Sequence, residues 1–69
     1  MRFNLECEQE IDGRWIAEIP EFPGVLAYGD SANEAMAKTK VLALRVLAEQ
    51  LEHGEVLPLD ISIFFPVVA

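Results

Sequence analysis

The stretch from Asp12 to Ala35, DGRWIAEIPEFPGVLAYGDSANEA, leaves the chain few ways to fold. Asp12-Gly13 is turn chemistry, because glycine accepts a positive φ without a Cβ clash. Arg14 to Ile19 then reads as a strand, and Pro20-Glu21-Phe22-Pro23-Gly24 stops it. Pro23-Gly24 suits the two central positions of a type II turn. Val25 to Tyr28 reads as a second strand. Gly29-Asp30-Ser31 turns the chain into a helix, with Ser31 and Glu34 spaced as a capping box. A Ser cap of this kind is worth about 1 kcal/mol.

The flanks supply the remaining elements. Upstream, Phe3, Leu5 and Cys7 alternate with Arg2, Asn4, Glu6 and Glu8, a period of two that marks a strand with one apolar face. Downstream, Ala35, Met36, Thr39, Leu42, Ala43, Val46, Leu47 and Leu51 recur at spacings of three and four. They predict an amphipathic helix from Ala32 to His53, ended by Gly54. Leu57-Pro58 opens a last strand in which Leu59, Ile61, Ile63 and Phe65 alternate with Asp60, Ser62 and Phe64, and Pro66 closes it.

The predicted fold class is therefore α+β, in the order β-β-β-α-β over a single domain, residues 1–69. Short links make the first three strands an antiparallel meander. A right-handed crossover places the fourth strand parallel to the first, giving a four-stranded mixed sheet of order 3-2-1-4 with one helix on one face. Phe3, Leu5, Cys7, Trp15, Ala17, Ile19, Ile61 and Ile63 are expected under the helix. The opposite face carries Arg2, Asn4, Glu6, Ile16, Glu18, Ser62 and Phe64.

Size and charge bound the function. A chain of 69 residues buries only about 60% of its unfolded surface, and small domains usually add disulfides, a metal or a second subunit. Cys7 is the one cysteine and His53 the one histidine, which rules out an internal disulfide and supplies too few soft metal ligands. With 52% apolar residues, homodimerisation is the expected support. Ile16, Phe64, Phe65 and Val67 are the candidate dimer contacts, since exposed apolar area usually marks an interface.

Twelve acids against five bases give a net charge of −7. Acid repels phosphate, so direct nucleic-acid binding is disfavoured and a basic protein partner favoured. No apolar run approaches the roughly 20 residues that a membrane span needs. The N-terminus alternates rather than carrying an apolar block, so no secretory leader is expected. The lone thiol fits a reducing, cytoplasmic setting.

Each chemistry-bearing residue has a structural reading beside the functional one. Cys7 on an apolar strand face is a small core hydrophobe before it is a nucleophile. Trp15 is a core anchor or a stacking platform. Phe22, held between two stiff residues, either plugs the end of the core or presents a rigid contact. Tyr28 has no base beside it in sequence. His53 complements the helix dipole. An enzyme reading would need carboxylates clustered around Mg²⁺, with Glu6, Glu8, Glu18 and Asp60 as the available set. Acids on a solvated sheet face are the ordinary explanation. No catalytic residue, metal or cofactor is assigned.

Taken together, Asp12-Gly13, Trp15 with Ala17, Pro20-Glu21-Phe22-Pro23-Gly24, Gly29-Asp30-Ser31 and Glu34-Ala35 resemble the signature of the HicB-like antitoxin family. That pattern is an Asp-Gly turn, an aromatic and then Ala in the next strand, Pro-acid-aliphatic-Pro-Gly, Gly-Asp-Ser/Thr, and a Glu-Ala pair opening the helix. Val25 stands where the family often has a small residue or Cys. The resemblance is to a short form, so the expectation is the N-terminal domain alone, without the helix-turn-helix or ribbon-helix-helix domain that many members carry. The resemblance implies a type II toxin–antitoxin system. The partner would be a basic HicA-type toxin that cleaves mRNA, neutralised by covering its RNA-binding surface. Glu18, Glu21, Phe22, Tyr28 and Asp30 are the expected partner contacts. The alternative is an orphan homodimeric HicB-like module with a scaffold or small-ligand role and no toxin.

Overall fold

The computed structural model describes residues 1–55 and 62–68. Three antiparallel strands come first: β1 (Leu5–Gln9), β2 (Trp15–Glu18) and β3 (Leu26–Gly29). The helix α1 (Ala32–Glu52) follows and packs across them.

The local chemistry of the connecting turns explains the tight succession. In the β1–β2 hairpin Gly13 takes φ 96°. The Glu10 N–H donates to the Arg14 carbonyl at 2.7 Å, and the Gly13 N–H to the Glu10 carbonyl at 3.0 Å. Asp12 Oδ1 accepts from the Arg14 N–H at 3.0 Å, an Asx-type turn. At the proline corner the Val25 N–H closes on the Phe22 carbonyl at 2.9 Å, with Gly24 at φ 87°, as a type II turn at Pro23-Gly24 requires.

The helix begins and ends on its own sequence. Ser31 Oγ accepts from the Glu34 N–H at 3.1 Å. The Glu34 carboxylate reaches back to the Asp30 N–H at 3.3 Å, one residue before the cap rather than to the cap itself. Past Glu52, the Gly54 N–H bonds to the Leu51 carbonyl and the Glu55 N–H to the Gln50 carbonyl, a Schellman ending with Gly54 at φ 74°.

The expected four-stranded sheet needs correction. The sheet proper is the three-stranded antiparallel meander, with one helix over it. Over its described part, 62–65, the expected strand is not formed: only Phe64 makes an isolated parallel bridge, to Arg2. The chain then makes a two-residue pair beyond Pro66, Val67–Val68 (β4), parallel to β1 at Leu5 and Glu6. Its place in the sheet is beside β1, in the order β3-β2-β1-β4. The expected strand starts at Leu57-Pro58 and the expected positions of Leu59, Asp60 and Ile61 lie outside the described residues.

Pro66 explains why the Phe64 bridge and β4 do not join into one strand. Phe64 exchanges two bonds with β1, its N–H to the Met1 carbonyl and its carbonyl from the Phe3 N–H, both 2.9 Å. Two residues on, the Pro66 carbonyl accepts from the Leu5 N–H at 2.8 Å, but proline has no N–H to return. The ladder is therefore broken where a strand would need it continuous.

The core is built from Leu5, Ala17, Ile19, Val25, Ala35 and Ala43, with Phe3, Cys7, Trp15, Phe22, Met36, Val46 and Phe65 packed against it. From the helix, Ala35, Thr39, Ala43 and Leu47 are buried. Three of these four are small, so the helix backbone sits close to the sheet. Thr39 lies wholly buried between the layers. Its hydroxyl is 3.0 Å from the Ala17 carbonyl of β2 and 2.8 Å from the Ala35 carbonyl one helical turn back. With one proton it donates to one of them at a time, and only the Ala17 bond ties the layers together. Thr39→Val keeps the shape and removes the donor. It is expected to cost about 1 kcal/mol and to lower the melting temperature by about 4–8 °C, read by thermal circular dichroism. An unchanged melting curve would show that the hydroxyl contributes nothing across the layers.

Candidate docking face

The side of the sheet turned away from the helix is set by strand alternation. Leu5, Ala17 and Ile19 point inward and are buried, so Glu6, Glu8, Ile16 and Glu18 point outward. At β3 Val25, just before the strand, is buried, whereas Leu26 and Tyr28 are each 40% exposed. The register then fixes the neighbours. Glu6 lies directly opposite Glu18, and Glu18 opposite Leu26. In the next row Glu8 lies opposite Ile16, and Ile16 opposite Tyr28. Phe64, 62% exposed, adds an apolar ring at the β1 edge.

Two carboxylates facing each other across adjacent strands repel, and such pairs destabilise a sheet. Among the described residues the ion pairs are Arg14–Asp12 at 2.8 Å and Lys38–Glu34 at 3.1 Å. Neither draws on Glu6, Glu8 or Glu18. The Arg14 guanidinium also lies 4.5 Å from the centre of the Tyr28 ring, which anchors the phenol at one end of the face. Hydrogen bonds from the Arg14 backbone and side chain hold the Asp12 carboxyl below the usual carboxylate range. The Lys38 ammonium and the Asp30 N–H do the same for Glu34.

The expected partner contacts do not lie on a common surface. Glu18 and Tyr28 stand on the open sheet face. Glu21 is engaged within the fold: both its carboxylate oxygens accept from the Asn4 N–H, at 3.1 and 3.2 Å. Phe22 is half-buried and stacks on Phe3, ring centres 4.6 Å apart, which is the core-plug reading. Asp30 is exposed beside the helix start. Of the expected dimer contacts, Ile16 is half-buried on the open face, Phe64 and Val67 are exposed, and Phe65 turns inward to Phe3 at 6.2 Å. Leu26, Glu6 and Glu8 belong to the face and were not among the expected contacts. The alternation of β1 was the signal for the two acids.

Other candidates resolve into structure. Cys7 is half-buried against the core, and burial pushes its thiol pKa up, away from nucleophilic use. Trp15 packs on the core from the far end of β2. Among the described residues no group of three or more His, Cys, Asp or Glu is placed to hold a metal ion, and no helix is long and apolar enough to cross a membrane. Comparison with protein-family models, with curated proteins and with solved structures finds no match to this chain.

Proposed function

We propose that this chain is an antitoxin-like binding protein that neutralises a basic, RNA-cleaving toxin of the HicA type by covering its RNA-binding surface. The observation that carries this reading is Glu6 opposite Glu18 on an open sheet face, with Glu8 in the adjoining row. A surface of like charges gains when a cationic partner neutralises it, and complementary potential speeds encounter and fixes register. A toxin that grips RNA must itself be basic, and the chain's net charge of −7 is opposite in sign. Ile16, Leu26, Tyr28 and Phe64 interleave with the acids and supply the apolar centre that a protein interface uses.

In this mechanism the chain does no chemistry. The carboxylates take the places that phosphates would occupy on the toxin, and the apolar side chains exclude water around them. The test is a calorimetric titration of a HicA-type toxin at low and at physiological salt, with RNA cleavage followed in parallel. A complex that blocks cleavage and weakens as salt rises is expected. Glu18→Arg should weaken it by about tenfold or more, equivalent to about 1.4 kcal/mol. No complex at low salt, or an affinity indifferent to charge reversal at Glu18, would overturn the proposal.

A further inference from the structure

The helix is apolar on both sides. Small residues face the sheet, while bulkier ones face out: Val41 is 46% exposed, Leu44 44% and Leu51 38%. With the exposed Ala37 and Ala48 they form one line, 37, 41, 44, 48 and 51, spaced four, three, four, three. That is the seam of a helix made to meet another helix. On a helical wheel at 3.6 residues per turn this line lies opposite the buried residues Ala35, Thr39 and Ala43, on the far side of the molecule from the open sheet face.

We infer that this seam is a self-association surface whose occupant is the same helix of a second copy, packed antiparallel about a two-fold axis near Leu44. The sequence of the seam is complementary to itself in that arrangement. Reversing the helix about Leu44 sets Leu44 against its own copy and Ala37 level with the partner's Leu51, and brings Val41 within one residue of the partner's Ala48 along the axis. Each small side chain thus meets a larger one, the alternation that lets two helices interdigitate. On the flank Lys38, paired with Glu34 in its own helix, falls level with the partner's Gln50 and about 3 Å along the axis from its Glu52, twice by symmetry. Arg45, one residue past the axis, also comes near its own copy, and its long stem lets the charge turn away to water. An isologous contact of this kind closes after two copies and leaves both open sheet faces pointing outward. It is independent of the toxin-binding proposal.

Sedimentation equilibrium of the full chain tests this, across protein concentrations, with circular dichroism to confirm the fold. The wild type should be a dimer, Leu44→Glu a monomer with its helix intact, and Phe64→Ser still a dimer. A second measurement does not depend on breaking the contact. In a Cys7→Ala background, mild oxidation should cross-link Leu44→Cys into a dimer and leave Lys40→Cys uncross-linked. A wild type that stays monomeric overturns the inference. So does a Leu44→Glu protein that remains dimeric. Loss of the dimer in Phe64→Ser but not in Leu44→Glu would assign the contact to the sheet edge instead.

Discussion

Gly29→Ala is expected to lower the melting temperature by about 12–24 °C, from a loss of about 3 kcal/mol. Gly29 ends β3 opposite Trp15 and is buried. Its backbone is not left-handed, so the requirement for glycine is one of space alone. A Cβ built there falls 2.6 Å from the Ala35 backbone nitrogen, 3.0 Å from Glu34 Cβ and 3.1 Å from Ala35 Cα. These atoms belong to the first turn of α1 and cannot swing aside as a side-chain tip can. The turn is fixed by the Ser31 cap and by the burial of Ala35 itself, so the added methyl must push helix and sheet apart. Against a total stability of about 3–10 kcal/mol for a chain this size, the loss takes a third or more of what holds the fold together. Gly24→Ala is the control. Its Cβ meets nothing within 4 Å, although φ is 87°, so it pays only for a left-handed backbone, about 1–2 kcal/mol. Equal losses at the two glycines would show that the approach of α1 to β3 is not close.

Leu5→Ala should cost about 3–5 kcal/mol, the upper part of the range for such truncations. Leu5, Ile19 and Thr39 are the largest fully buried side chains among the described residues. Much of the remaining centre is alanine: Ala17, Ala35 and Ala43. The alanines of this core are too short to reach into the space a leucine leaves, so collapse around it is incomplete and the walls of the void lose dispersion contacts. The measurement is urea unfolding. The midpoint should fall with the slope unchanged, because the native and unfolded surfaces stay nearly the same. A loss nearer 1 kcal/mol would mean that the layers close over the gap.

Much of this architecture was legible because it is local. Gly13, the Pro23-Gly24 pair, Ser31 and Gly54 each act on bonds within a few residues, and each does in the structure what its chemistry demands. The last strand was misread for the opposite reason. Alternation through 59–65 is a property of one segment, whereas a ladder is a property of two. The missing proline donor mattered only once Pro66 was seen beside Leu5 rather than past a strand end. The helix shows a different limit. Its pattern includes Leu42 and Leu51 in the expected inward stripe, yet both are exposed, at 36% and 38%. A helix apolar on two sides does not say from sequence which side the sheet will take. For the docking face, strand parity gave Glu6, Ile16 and Glu18, while Leu26 depended on a register that no single strand encodes. Glu21 and Phe22 were turned to the fold's own use by Asn4 and Phe3, distant partners that the corner motif does not reveal.

The near contact of helix and sheet has a bearing on recognition. Where alanines and a threonine are the spacers, the middle of the protein is too thin to be hollowed into a berth for a metabolite without prising the two layers apart. Selectivity in such a molecule has to be written on its two broad outer surfaces, and substitutions there can change what it meets while the centre stays as it is.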